Sequence, residues 1–288
     1  MMHDIFYFTD VHGMYDLYKA AIDYCLEQDP ECMILYGGDA CDRGPDGYKI
    51  MKELLTRPQI NYLKGNHEDM FVCAAQAIQK DYRGSSDEQH ISDYLYYSQL
   101  SESGEYSIKN HLYNGGYQLL HDWMLDGMPQ DFIEKINNLP ITFSYGNMDF
   151  CHAGGRYKEF LSAQSAEYKN VRVSEDDQLM LLWDRNYLSQ GWRQNRICIF
   201  GHTPVVHLAA KYYGKDKSLA AIKPCAYISQ LDDKWTGKKI DMDTATCVSG
   251  KLYILNCLTL KAQGIIDKDI NTEKVNKHTI EKIEVIQL

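Results

Sequence analysis

Short apolar runs recur early in the chain, and each stops at a turn. Ile5–Phe8 ends at Thr9-Asp10, Met33–Tyr36 at Gly37-Gly38, and residues 60–63 at Lys64-Gly65. Continuous apolar runs of this length, bounded by turn residues, predict buried strands. Between them the apolar positions fall at intervals of three and four. Met14, Leu17, Tyr18, Ala21, Ile22 and Cys25 make one stripe, and Tyr48, Met51, Leu54 and Leu55 another, with Pro45 expected in the first turn of that second helix. This spacing predicts amphipathic helices. A third helix is expected over 68–80. The order βαβαβα implies parallel strands joined by right-handed crossovers.

The rhythm changes over residues 81–138, which are polar and rich in tyrosine. Helices are expected there at Tyr117–Leu125 and Gln130–Asn137, forming an insertion packed beside the carboxyl ends of the strands. Past it, 141–145 and Met148–Cys151 flank Gly146-Asn147, a hairpin signal. Residues 179–183, 196–200, 239–242 and 252–260 read as further strands with few long helices between them, and 282–288 alternates weakly. The second half is expected to form a second sheet that packs on the first. The fold class is α/β, one domain over 1–288 with 81–138 inserted in it.

Composition narrows the function classes. The chain has 288 residues, 44% of them hydrophobic and 24% charged, with a net charge of −10. A strongly acidic chain is a poor partner for a nucleic-acid backbone or an anionic membrane, so neither is expected. Nine cysteines lie mostly in apolar runs without a Cys-x-x-Cys pair, the pattern of small buried hydrophobes in a reducing compartment. The first apolar run is too short for a signal peptide, and no stretch approaches the length of a membrane span; a cytoplasmic protein is expected.

Four blocks carry the chemistry: Asp10-Val11-His12-Gly13, Gly38-Asp39-Ala40-Cys41-Asp42-Arg43-Gly44, Gly65-Asn66-His67-Glu68 and Cys151-His152-Ala153-Gly154-Gly155. The first three follow successive predicted strands, at the sheet edge where open α/β folds bind ligands. Mixed carboxylate, amide and imidazole groups suit divalent transition metals. Singly, Asp10 or Asp39 is more simply a helix cap, and His152 or His202 a hydrogen-bonded core histidine. As a set, caps alone do not explain why His12, Asn66, His152 and His202 accompany them.

With Leu181-Leu182-Trp183-Asp184-Arg185 and Phe200-Gly201-His202-Thr203-Pro204, these blocks resemble the phosphoprotein phosphatase branch of the calcineurin-like metallophosphoesterases, in particular its bacteriophage and bacterial members. The resemblance implies a four-layer αββα sandwich and two divalent metal ions, Mn²⁺ first, with Fe or Zn²⁺ as alternatives. Asp10 and His12 would hold one ion, Asp39 would bridge, and Asn66, His152 and His202 would hold the other. A hydroxide shared by the ions would attack phosphorus in line. His67 would protonate the leaving oxygen, oriented by Asp42, while Arg43, Arg185 and Asn66 would bind the phosphate. Arg156 is a weaker candidate for substrate contact, and Cys41 has little claim to a catalytic role.

Some positions depart from the family pattern. Thr9 precedes the first Asp, Lys64 stands where many relatives have Arg, and Asp243-Thr244-Ala245 replaces the common Asp-Thr-Gly, which puts the backbone turn there in question. His111 and His207 receive no role. The activity implied is that of a metal-dependent protein serine/threonine phosphatase acting on a phosphorylated protein or small phosphoester. A symmetrical dinucleoside tetraphosphatase, from the same branch, is the alternative; its bases would need stacking rings such as the tyrosines of 81–138. A catalytically silent binding module is disfavoured by the complete set of ligands and His67.

Overall fold

The computed structural model describes residues 3–101, 104–169, 172–185, 192–193, 195–205, 225–228, 238–267, 278–284 and 286–287. The first three strands, β1 (Ile5–Phe8), β2 (Met33–Tyr36) and β3 (Ile60–Tyr62), alternate with α1 (Tyr15–Gln28), α2 (Gly47–Leu54) and α3 (Asn66–Asp81). They pair in parallel, with Ile5 beside Met33 and Ile34 beside Ile60. The expected stripe of α1 is the one buried: Leu17, Tyr18, Ala21, Ile22 and Cys25. Pro45 lies in the turn before α2, whose cap is Asp46. The third helix begins two residues earlier than expected, so Asn66 and His67 form its first turn.

Between α3 and the next strand the described residues form four helices: α4 (Glu88–Leu100), α5 (Tyr106–Tyr113), α6 (Tyr117–Leu125) and α7 (Gln130–Asn137). The last two have the bounds that the sequence predicts. The second half continues with the hairpin β4 (Thr142–Tyr145) and β5 (Met148–Cys151), then α8 (Tyr157–Tyr168), α9 (Glu175–Trp183), β6 (Ile197–Phe200), β7 (Cys225–Ile228) and β8 (Lys238–Asp241). The short helix Thr246–Ser249 precedes β9 (Lys251–Asn256), β10 (Lys261–Asp267), β11 (His278–Glu284) and β12 (Ile286–Gln287).

Three expectations are corrected here. Residues 179–183 are helical, the end of α9. Ser174 caps that helix by accepting from the Asp177 N–H at 3.2 Å, and Glu175, Asp176 and Asp177 place negative charge at its amino end, where it is favourable. The expected strand over 252–260 ends at Asn256, whose side chain accepts from Leu258 N and Thr259 N, and 257–260 turn the chain back into β10. The second half also does not form one sheet. β9, β10 and β11 join β1–β3 in the order β11-β10-β9-β1-β2-β3, while the other sheet runs β12-β7-β8-β6-β5-β4.

Strand periodicity explains the layering. In β1, Phe6 and Phe8 face a core with α1 residues, whereas Ile5 and Tyr7 face Phe150, Ile199 and Ile240 of the opposite sheet. On the far side, Cys151, Cys198 and Phe200 pack against Phe160, Leu181 and Leu182 of α8 and α9. Two sheets therefore share a central core, and each carries helices on its outer face, the αββα order. Among the described residues no helix is long and apolar enough to cross a membrane.

Candidate active site

The ligand-type residues converge because their loops are stitched to one another. The Asp10 and His12 N–H groups donate to Gly38 O and Asp39 O at 3.0 and 3.1 Å, which docks the β1–α1 turn on the β2–α2 turn. The His67 N–H at the start of α3 donates to Asp39 Oδ1 at 3.0 Å. Across the sheets, His202 N donates to both Asp10 oxygens at 3.2 and 3.1 Å. Asp10, His12, Asp39, Asp42, Arg43 and His202 all have left-handed backbones, with φ from 48° to 70°. That region costs a non-glycine residue about 1–2 kcal/mol, so its concentration here marks a functional surface. Gly38 shows why glycine is needed beside it: its φ is +97°, and a Cβ there would stand 2.7 Å from the Gly65 backbone.

Two clusters of potential ligand atoms share Asp39. His12, Asp39 and His67 form one, and Asp39, His152 and His202 the other, each with its atoms within 4.8 Å of one another and all buried. Asn66 Oδ1 joins the second, 3.0 Å from His152 Nε2 and 2.8 Å from His202 Nδ1. The remaining nitrogens are anchored: His12 Nδ1 lies 2.8 Å from Cys41 O, and His152 Nδ1 2.8 Å from Gly37 O. This leaves Nε2 of each ring turned inward, the usual arrangement of metal-binding histidines. Asp10 is in neither cluster; its Oδ2 accepts from Thr9 Oγ1 at 2.7 Å.

The donor chemistry fits two divalent cations. A carboxylate that faces imidazoles on both sides, with an amide oxygen beside it, is a mixed O/N set for two borderline ions. Burial penalises the His152 cation, but the carboxylates of Asp39 and Asp10 outweigh it and raise the ring to about 10. Burial likewise pushes Asp39 up, yet His152 and His67 beside it hold it well below the usual range. His12 and His202 are pushed down by burial and by neighbouring cationic groups. A bound cation would take the place of the proton on His152.

The other predicted groups surround these clusters. His67 Nδ1 lies 2.7 Å from Asp42 Oδ2, and its Nε2 points inward, 3.8 Å from Asp39 Oδ2. The Arg43 guanidinium donates to His12 Nε2 at 2.7 Å and His67 Nε2 at 3.1 Å. Arg185 Nε donates to His202 Nε2 at 3.2 Å. One guanidinium thus stands at each cluster. Arg156 instead engages Glu159. Lys64 is buried and donates to Asn137 O at 2.7 Å, a structural tie. Cys41 is buried, and burial with neighbouring carboxylates keeps its thiol protonated. His207 lies outside the described residues.

Two further residues belong here. Glu68 Oε2 accepts from Asp39 N and Gly65 N at 2.9 and 2.7 Å, while Oε1 accepts from Ala40 N and Tyr62 Oη at 2.8 and 2.7 Å. Burial and the Asp39 charge push its carboxyl up, opposed by these donors. Its sequence signal is the Glu three residues after Gly65, a capping-box spacing. His111, on α5, is fully buried 3.3 Å from Asp42 Oδ2; nothing in its sequence neighbourhood announces this. Ala245 takes φ +53°, so the turn is made without the glycine common in relatives.

The chain matches the calcineurin-like phosphoesterase family over residues 3–227, and it belongs to that family. Members of that family are phosphoesterases that use a dinuclear divalent metal centre. A curated relative, the symmetrical bis(5'-nucleosyl)-tetraphosphatase of Buchnera aphidicola subsp. Schizaphis graminum, is 26% identical over 78 residues, covering 27% of this chain and 29% of that protein. A solved structure described as a diadenosine tetraphosphatase is 14% identical, covers 88% of each chain and gives a TM-score of 0.49. A protein serine/threonine phosphatase from Saccharomyces cerevisiae is 15% identical, with 99% of this chain and 80% of that one covered and a TM-score of 0.43.

Proposed function

We propose that this protein is a two-metal phosphomonoesterase acting on phosphoserine and phosphothreonine in proteins. The observation that carries the reading is one buried Asp39 shared by two ligand clusters, with His67, a member of the first, paired through its Nδ1 to Asp42. His12, Asp39, Asn66, His152 and His202 would hold the ions, with Asp10 completing the first site. Two divalent ions, Mn²⁺ foremost, would supply charge neutralisation and an acidified water.

The chain's own groups do the rest. Arg43 and Arg185 hold phosphate oxygens by forked hydrogen bonds, assisted by Asn66. His67, its Nδ1–H held by Asp42, presents Nε2 to the leaving oxygen and delivers a proton there. The substrate is a phosphorylated protein or a small phosphoester; no nucleic-acid or membrane partner is invoked, and cytoplasmic placement is part of this proposal.

The relation to a symmetrical tetraphosphatase favours one second reading, hydrolysis of a dinucleoside tetraphosphate. Tyr113, 87% exposed, lies in the stretch that ends at Gly115, whose carbonyl accepts from Arg43 N at 3.0 Å. The exposed Tyr113 ring offers a nucleobase a stacking face. Purified protein would be given p-nitrophenyl phosphate, a phosphoserine peptide and diadenosine tetraphosphate, each with Mn²⁺ and with chelator. Mn²⁺-dependent turnover of the peptide is expected. Cleavage of the tetraphosphate alone transfers the assignment to the second reading, and no metal-dependent turnover of any substrate rejects both.

A further inference from the structure

The last turn of α5 reaches the acid pair from the insertion. Asp42 Oδ2, which accepts from His67 Nδ1 at 2.7 Å, is also 3.3 Å from His111 Nδ1. Neither ring nitrogen of His111, nor Asp42 Oδ1, has a hydrogen-bond partner among the described residues, and all three are buried. An unpaired polar group in such a place is costly, and native proteins rarely leave one. The surroundings offer His111 little else: the Phe71 ring lies 6.1 Å away.

The chain that follows is shaped around this imidazole. Gly116 has an ordinary φ of −81°, so its backbone does not require glycine, yet a Cβ there would stand 2.3 Å from His111 Nε2. Gly116 N donates to His111 O, and Gly115 O accepts from Arg43 N, both at 3.0 Å. The turn that houses His111 is thus bonded to the residue after Asp42.

We propose that His111 is a positioning residue for proton donation, its Nδ1–H, near Asp42 Oδ2 but not aligned on it, turning to donate there so that this carboxylate holds the His67 ring with Nε2 toward the leaving group. Asp42 is then gripped by two histidines from different elements, α3 and α5. A neutral His111 has one N–H to give, and its burial favours the neutral ring. The inference rests on the reading of His67 as the acid, and the test separates the two.

A proton donor matters most when the leaving group is a poor one. Metal-loaded wild type, His67→Asn, His111→Phe, His111→Asn and Gly116→Ala would be compared on p-nitrophenyl phosphate and phenyl phosphate. His111→Phe should cut kcat about tenfold on phenyl phosphate and less than about twofold on p-nitrophenyl phosphate, with KM unchanged. His111→Asn, which keeps a donor near Nδ1, should restore both rates. Gly116→Ala displaces the ring by its methyl group and should repeat the Phe pattern; it carries the test if His111→Phe does not fold. In the metal-free protein, ¹⁵N shifts of the His67 ring should report an Nδ1–H tautomer in wild type that His111→Phe loses.

Equal loss on both substrates, or no loss, while His67→Asn remains selective for phenyl phosphate, overturns the role of His111 and leaves that of His67 standing. Absence of selectivity in His67→Asn itself overturns both.

Discussion

Glu68→Gln replaces one carboxylate oxygen by an NH₂ group and asks how far a single side chain ties the site together. Glu68 receives four N–H and O–H donors, two on each oxygen, from Asp39, Ala40, Gly65 and Tyr62, with the Cys41 thiol a weak fifth 4.0 Å from Oε1. An amide nitrogen at the Oε2 end would face two backbone N–H groups. At the Oε1 end the Tyr62 hydroxyl can rotate and accept, leaving only Ala40 N without a partner. The second orientation is cheaper. One orphaned buried donor costs about 1–3 kcal/mol, and the remaining bonds lose their charge-assisted share. The expected loss of stability is about 3 kcal/mol, read from urea unfolding of the metal-free protein by circular dichroism. Glu68→Leu, which orphans all four donors, should cost more. A Glu68→Gln midpoint that corresponds to less than about 0.5 kcal/mol, the range of an ordinary surface change, refutes the reasoning.

Asp39→Ala should abolish binding of both ions and turnover together, measured by elemental analysis and the Mn²⁺-stimulated assay; a variant that keeps one tightly bound ion contradicts the shared role. Arg185→Lys keeps the charge but loses the fork, and KM should rise about tenfold while the bound metal is unchanged. Asp149 is buried beneath Trp192 Nε1 at 2.8 Å and Arg196 Nε at 2.7 Å. Asp149→Ala orphans the buried Trp192 N–H, while the part-exposed Arg196 keeps Gly146 O and water, and it should destabilise the protein by about 1–3 kcal/mol in denaturant titrations, with the rate per folded molecule little altered.

The parallel strands β1–β3 were legible because each is short and is followed within three residues by Gly or Asp, and β1 and β2 are buried on both faces. The helix α1 was legible from its stripe alone. Residues 179–183 were not, since a short apolar run has no period long enough to separate strand from helix, and the deciding Ser174 cap lies outside the run. The partition of the late strands was hidden for another reason: β9 pairs with β1 through contacts some 250 residues apart in sequence, and no local pattern encodes that. The site was legible where ligand-type residues sit beside glycine at strand ends, as at Asp39 and Asn66. His111 escaped because it occupies an ordinary buried helical position, and only folding brings α5 against Asp42.

β1 lies inside its sheet, with β2 parallel on one edge and β9 antiparallel on the other, where Cys257 N donates to Ile5 O at 2.8 Å. The strand that delivers Asp10 leaves the ribosome about 250 residues before the one that closes its second edge. At about 5–20 residues per second, on the order of ten to fifty seconds of synthesis separate the two. Throughout that interval the nascent chain carries an open strand edge, which is a pairing hazard. His202, which steadies Asp10 and belongs to the second cluster, also emerges late. A chain made only as far as α9 therefore carries His12, Asp39, Asn66 and His152 but neither His202 nor the strand that closes β1, so the second cluster assembles only after these later segments emerge.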